Sequence, residues 1–210
     1  MQIAWRTPVL VLCFTFAIFF CLPTAHAKTI MILGDSLSAG YGLQPNQGWV
    51  TQLQQRLNQQ YPKQHKVVNA SVSGETTKGA LARLPKLLKI HQPDILVIEL
   101  GGNDGLRGQP PQTIQQNLAK LVHLGQQQNA TVVLFGMKLP PNYGQAYGQA
   151  FAQTYVTVSQ QYKISRLPFF LEHVAGRKDL MQKDLIHPNA KAQPILLNNA
   201  YPYIQQALKH

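Results

Sequence analysis

Five apolar runs of strand length, separated by longer stretches of helical period, constrain this chain more than any other feature. The runs are Thr29–Leu33, Lys66–Val72, Asp94–Leu100, Thr131–Met137 and Ile164–Phe170. Within them Ile30–Leu33, Ile95–Ile98 and Val132–Phe135 are apolar at every position, as in strands covered on both faces. Between the runs, apolar residues recur every three or four positions: Trp49, Leu53, Leu57 and Tyr61; Leu81, Leu84, Leu87 and Leu88; Ile114, Leu118, Leu121 and Val122; Tyr147, Phe151, Tyr155, Val158 and Tyr162. That spacing puts each set on one face of a helix. A last helix is expected from about Asn189, with a kink or break at Pro194 and Pro202, each of which lacks a backbone donor. Strands that alternate with helices pair in parallel, because a parallel pair needs a crossover. The expectation is an α/β fold, and residues 28–210 carry no linker, repeat or composition break, which implies one domain.

The first 27 residues have a different character. Arg6 precedes an apolar stretch from Val9 to Leu22, Pro23 breaks it, and Ala25-His26-Ala27 puts small residues at the −3 and −1 positions of a cleavage site. This is the layout of a secretory signal peptide. The stretch would rise only about 21 Å as a helix, short of a ~30 Å hydrocarbon core. Bulky residues before Cys21 do not fit a lipoprotein signal. Both cysteines, Cys13 and Cys21, lie in this segment, so a mature chain from Lys28 to His210 would have 183 residues and no thiol. Cysteine nucleophiles, disulfides and thiolate metal sites are thereby excluded. The sequons at Asn69 and Asn129 fall at or near expected strands and read as chance. A bacterial exported, periplasmic protein is the expected setting.

The whole chain carries a formal charge of +11, and the mature part 18 basic against 8 acidic residues, or +10. Lys and Arg are scattered with no run of three, and no zinc-ligand or P-loop motif occurs, which argues against nucleic acid as the partner.

Chemistry is concentrated where strands end, the place where open α/β sheets bind ligands. After the first run comes Gly34-Asp35-Ser36; after the second, Ser73-Gly74-Glu75; after the third, Gly101-Gly102-Asn103-Asp104; near the C-terminus, Asp184-Leu185-Ile186-His187. Singly, each reads as a turn or a helix cap. Together they offer a hydroxyl at a strand-to-helix turn, a carboxylate and imidazole three residues apart, an unobstructed Gly74 N–H and the Asn103 amide. These are the parts of a nucleophile relay and an oxyanion hole.

In order and spacing these blocks resemble the GDSL, or SGNH, hydrolase family. The stretches Ile32–Gly42, Leu100–Gly108, Leu139–Gly144 and Ile186–Asn189 carry the likeness, which is strongest to its bacterial periplasmic members. The resemblance implies a flavodoxin-like three-layer α/β/α sandwich with a five-stranded parallel sheet. It implies Ser36 as nucleophile, His187 as base, Asp184 as its orienter, and Ser36 N–H, Gly74 N–H and Asn103 as oxyanion donors. No metal and no cofactor are implied. The substrates would be small-molecule or lipid acyl esters and thioesters: acyl-CoA, aryl esters and lysophospholipids. A carbohydrate deacetylase with the same catalytic set is the alternative, and a monomer is expected. Leu185 stands where relatives often have Gly, so a different backbone is expected there. Residues 75–80 read either as a mobile flap or as a helix start capped by Thr76 or Thr77. Leu106, Pro140, Pro141 and Tyr143 are candidate rim residues for an apolar chain.

Overall fold

Each apolar run becomes a strand, and each helical stripe a helix, in the computed structural model, which describes residues 1–2 and 27–209. The expected export segment therefore lies almost wholly outside the described residues. The strands are β1 (Thr29–Gly34), β2 (Lys66–Asn69), β3 (Ile95–Glu99), β4 (Thr131–Phe135) and β5 (Ser165–Leu167). All pair in parallel, in the order β2-β1-β3-β4-β5. The helices are α1 (Ser36–Ala39), α2 (Trp49–Gln60), α3 (Thr77–His91), α4 (Gly102–Leu106), α5 (Pro111–Gln127), α6 (Gln145–Tyr162) and α7 (Gln193–Leu208). The chain runs from β1 to the β2 edge and then back past β1 to β3. With right-handed crossovers, that reversal puts successive helices on opposite faces. Accordingly α2 packs with α7, while α3, α5 and α6 pack in a row. The reversal opens a crevice beyond the carboxyl ends of β1 and β3.

Double coverage explains the uninterrupted apolar strands: every residue of β3 is buried, as are Ile30–Gly34 and Val132–Phe135. Trp49 anchors the start of α2 in the core, its ring 5.9 Å from that of Phe135 and 5.3 Å from that of Phe170. Its backbone N–H donates to Gln193 Oε1 at 3.0 Å, which ties the starts of α2 and α7 together.

β3 and β4 are each two residues shorter than expected, and β2 and β5 are shortened further, for local reasons. β2 stops at Asn69, whose side chain accepts from Ser71 N–H and donates to the Ser38 carbonyl. β5 stops before Pro168, which has no N–H for the ladder. The last helix departs from expectation too, since α7 runs without a break from Gln193 to Leu208, through both prolines. Pro194 lies in its first turn, where an N–H would be unpaired in any case. Pro202 lies inside the helix on its exposed side, while Ala200, Tyr201 and Ile204 hold the flanking turns in the core.

Candidate active site

Ser36 is the first residue of α1, directly after β1. Asp35 caps that turn, its Oδ1 accepting from Leu37 N–H at 3.0 Å. Gly34 allows the strand to run against Glu99, because a Cβ there would come within 2.7 Å of Glu99 Oε2 and 2.8 Å of Ser38. From the C-terminal side, His187 Nε2 reaches Ser36 Oγ at 2.9 Å and His187 Nδ1 lies 2.6 Å from Asp184 Oδ2. The other Asp184 oxygen accepts from the Ile186 and His187 backbone N–H groups, both at 3.0 Å. These bonds, led by that from the His187 N–H, hold the Asp184 carboxyl down to about 2. An ionised Asp184 can only accept, so Nδ1 carries the proton and Nε2 is left as the acceptor for the Ser36 hydroxyl. Tyr41 lies against the imidazole, ring centroids 4.5 Å apart.

The Asp184–His187 turn differs from expectation at Leu185. Its backbone is not displaced from the left-handed region a glycine would use: φ is +57°. Surrounding bonds over-determine it. Leu185 N–H donates to the Gln182 carbonyl, Gln182 N–H to the His187 carbonyl, and Gln182 Nε2 to the Tyr41 and Pro188 carbonyls. Such a conformation costs a non-glycine residue on the order of 1 kcal/mol. Leu185→Gly is expected to leave kcat within about 2-fold and stability within ~1 kcal/mol, relief of strain offsetting glycine's added unfolded-state freedom. Urea unfolding and steady-state rates check both.

The other two blocks converge on the same place. Gly74 has φ +78° and an exposed backbone. Asn103, in α4 beyond β3, donates from Nδ2 to Asp35 Oδ2 at 3.1 Å and to the Glu75 carbonyl at 3.0 Å. Asp104 holds the start of α3 in register by accepting from Thr77 N–H (2.9 Å) and Thr77 Oγ1 (2.6 Å). Residues 75–80 are a capped helix start: Thr76 accepts from Gly79 N–H at 3.1 Å and Glu75 pairs with Arg83 at 2.7 Å. Of the candidate rim residues, Pro141 and Tyr143 lie in a 3-10 turn, and the Tyr143 hydroxyl donates to the Leu106 carbonyl at 2.9 Å. Among the described residues, no group of three or more His, Cys, Asp or Glu side chains is placed to hold a metal ion.

Sequence reasoning missed Tyr41 and the buried acid Glu99. Glu99 is fully buried, accepts from Ser38 Oγ at 2.6 Å, and among the described residues leaves Oε1 without a partner. Burial, reinforced by Asp35, pushes its carboxyl well above the ordinary range. The signal was an acid at the end of an otherwise apolar run. A folded-state pKa above the unfolded value means that stability falls as pH rises beyond the ordinary glutamate range. Glu99→Gln removes that slope. Its melting temperature is expected to gain on wild type between pH 5 and pH 8 by at least about 2 °C, the shift that ~1 kcal/mol gives in a domain of this size. Thermal melts across that range check it.

The sequence pattern of the GDSL-like lipase/acylhydrolase family matches residues 32–194. The chain belongs to this family. It is 50% identical over 184 residues to an esterase, TesA, of Pseudomonas aeruginosa, spanning 88% of this chain and 91% of that protein. It is 40% identical over 206 residues to thioesterase 1/protease 1/lysophospholipase L1 of Escherichia coli K12, spanning 98% and 95%. In three dimensions it matches the psychrotrophic esterase EstA of a Pseudoalteromonas species, solved in a form inhibited by monoethylphosphonate. That match has a TM-score of 0.83 and 44% identity and covers 87% of this chain and all of the other. The fold is thus that of the SGNH hydrolases, and the chain is a serine hydrolase with esterase function.

Proposed function

We propose that Ser36 is the nucleophile, His187 its base, Asp184 the orienter of His187, and that Ser36 N–H, Gly74 N–H and the Asn103 amide receive the oxyanion. The observation that carries this is the continuous Asp184–His187–Ser36 chain at 2.6 and 2.9 Å. As Ser36 Oγ attacks the acyl carbon, its proton passes to His187 Nε2 and the carbonyl oxygen takes up the negative charge. Collapse of the tetrahedral species expels the thiolate or alkoxide, which receives the proton from His187. Water then attacks the acyl-Ser36 ester by the same route, releasing the carboxylic acid and restoring the serine. Asp184 stays ionised throughout, holding the imidazolium that forms in each half-reaction.

The substrates are acyl thioesters, aryl esters and lysophospholipids, acted on by a monomer that uses neither metal nor cofactor. The names of the relatives, an esterase and a thioesterase/lysophospholipase, favour acyl esters over a carbohydrate deacetylase. We further infer that residues 1–27 direct export and are removed, leaving residues 28–210 as one periplasmic hydrolase domain; the signal-peptide layout of the sequence supports this. Initial rates on p-nitrophenyl esters of increasing acyl length test the substrate class. The expected result is higher kcat/KM for butyrate to decanoate than for acetate, together with hydrolysis of a medium-chain acyl-CoA. Activity confined to acetate would overturn the lipid assignment.

A further inference from the structure

Behind Ser36 lies a carboxylate that the acyl-transfer steps do not use. Asp35 is 2% exposed, and it divides its two oxygens between two donors. Oδ1 accepts from Leu37 N–H at 3.0 Å, closing the turn that presents Ser36. Oδ2 accepts from Asn103 Nδ2 at 3.1 Å, reaching from the end of β1 to α4 beyond β3. The second hydrogen of the same amide rests on the Glu75 carbonyl at 3.0 Å. This pair of acceptors fixes the amide's orientation, because a flipped Asn103 would set its own oxygen against a carboxylate and a carbonyl. Asparagine at position 35 could not do the same work: its single oxygen would have to choose between Leu37 N–H and Asn103.

We propose that Asp35 is the positioning residue of the oxyanion hole, its carboxylate anchoring one hydrogen of the Asn103 amide so that the other is presented to the oxyanion in place of the Glu75 carbonyl. The assignment rests on Asn103 being an oxyanion donor, as proposed above. By capping the turn at Leu37, the same carboxylate also sets the Ser36 N–H, so one buried group aligns two of the three donors. A donor fixed before the reaction needs no reorganisation as charge develops, which is where such sites gain rate.

Protonation would undo the anchor, since an O–H facing the Asn103 amide is itself a donor. Burial pushes the Asp35 carboxyl up to about 6, against the pull of the Leu37 bond, His187 and Asn103, with Asp104 adding to the rise. The groups that face it are Glu99 from β3, Asp104 from α4, Tyr155 from α6 and His187 from the C-terminal loop. On the acid side, then, a proton on Asp35 slows the reaction by releasing the Asn103 amide.

Steady-state kinetics of Asp35→Asn, Asp35→Ser and each combined with Asn103→Ala, on p-nitrophenyl butyrate, test this. Serine keeps the helix cap for Leu37, so it separates the Asn103 anchor from the turn, and melting temperatures confirm that each variant is folded. The expected result is a loss of about 10- to 100-fold in kcat, with KM within ~3-fold. In the Asn103→Ala background the further loss shrinks below about 3-fold, as expected for two residues acting through one contact. In wild type, kcat falls as Asp35 takes up its proton on the acid side, and that contribution to the acid limb is missing from Asp35→Asn. Wild-type kcat in the folded Asp35 variants, a loss undiminished in the Asn103→Ala background, or an acid limb unchanged by Asp35→Asn would overturn the proposal. A wild-type kcat in Asn103→Ala alone would instead overturn the oxyanion role of Asn103.

Discussion

Ser36→Ala is expected to lower kcat on an aryl ester by about 10⁴- to 10⁶-fold, the range seen when a relay nucleophile is removed, while the protein stays folded. The two halves of that expectation have separate grounds. The only side-chain partner of Ser36 Oγ among the described residues is His187 Nε2 at 2.9 Å, so its loss costs about 1 kcal/mol or less in stability. The turn itself is held by Asp35 and by the backbone bonds Ala39 N–H to Asp35 and Tyr41 N–H to Ser36, none of which uses the hydroxyl. Both cysteines, Cys13 and Cys21, lie outside the described residues, so no described thiol is at hand to replace the nucleophile. Removal of His187 should cost a similar factor, and the double variant little more than either, because the two act as one unit. Rates on p-nitrophenyl butyrate, with circular dichroism as the folding control, check these values.

The second large effect is expected at Asn103. Asn103→Ala should lower kcat by about 10²- to 10³-fold, the value of one oxyanion donor, with KM nearly unchanged. The division follows from the position of the amide: its hydrogens lie on Asp35 and the Glu75 carbonyl, so it gains a stronger partner only as charge develops on the substrate oxygen. An interaction made in the transition state alone appears in kcat rather than KM. A rise in KM with kcat intact would place Asn103 in ground-state binding instead.

Much of this is legible in the sequence. Ile30–Leu33, Ile95–Ile98 and Val132–Phe135 announced buried parallel strands because a doubly covered strand has no solvent face to mark with polar residues. The four polar blocks were legible for the converse reason: Ser36 and Asn103 stand just beyond strand ends, where backbone donors are free, and Asp184 and His187 stand three residues apart in a loop. What the sequence hid depends on partners distant in the chain. Asp35 read as a cap, and only the approach of Asn103 gives its second oxygen a task. Glu99 looked like the polar end of an apolar run, yet Ser38 and Asp35 close around it. Leu185 defied the expectation from residue type because Gln182 and Asp184 hold its turn from both sides. Pro202 did so because α7 is held by burial on its far side rather than by each backbone bond.

The central claim is that Ser36 carries the acyl group, activated by His187. Incubating the protein with a fluorophosphonate and mapping the adduct by peptide mass spectrometry tests it most directly. One phosphonyl group per chain, located on Ser36, lost in Ser36→Ala and formed far more slowly in His187→Ala, is the result expected. Full inactivation with the adduct on another residue, or esterase activity that persists in Ser36→Ala at the wild-type level, would contradict it.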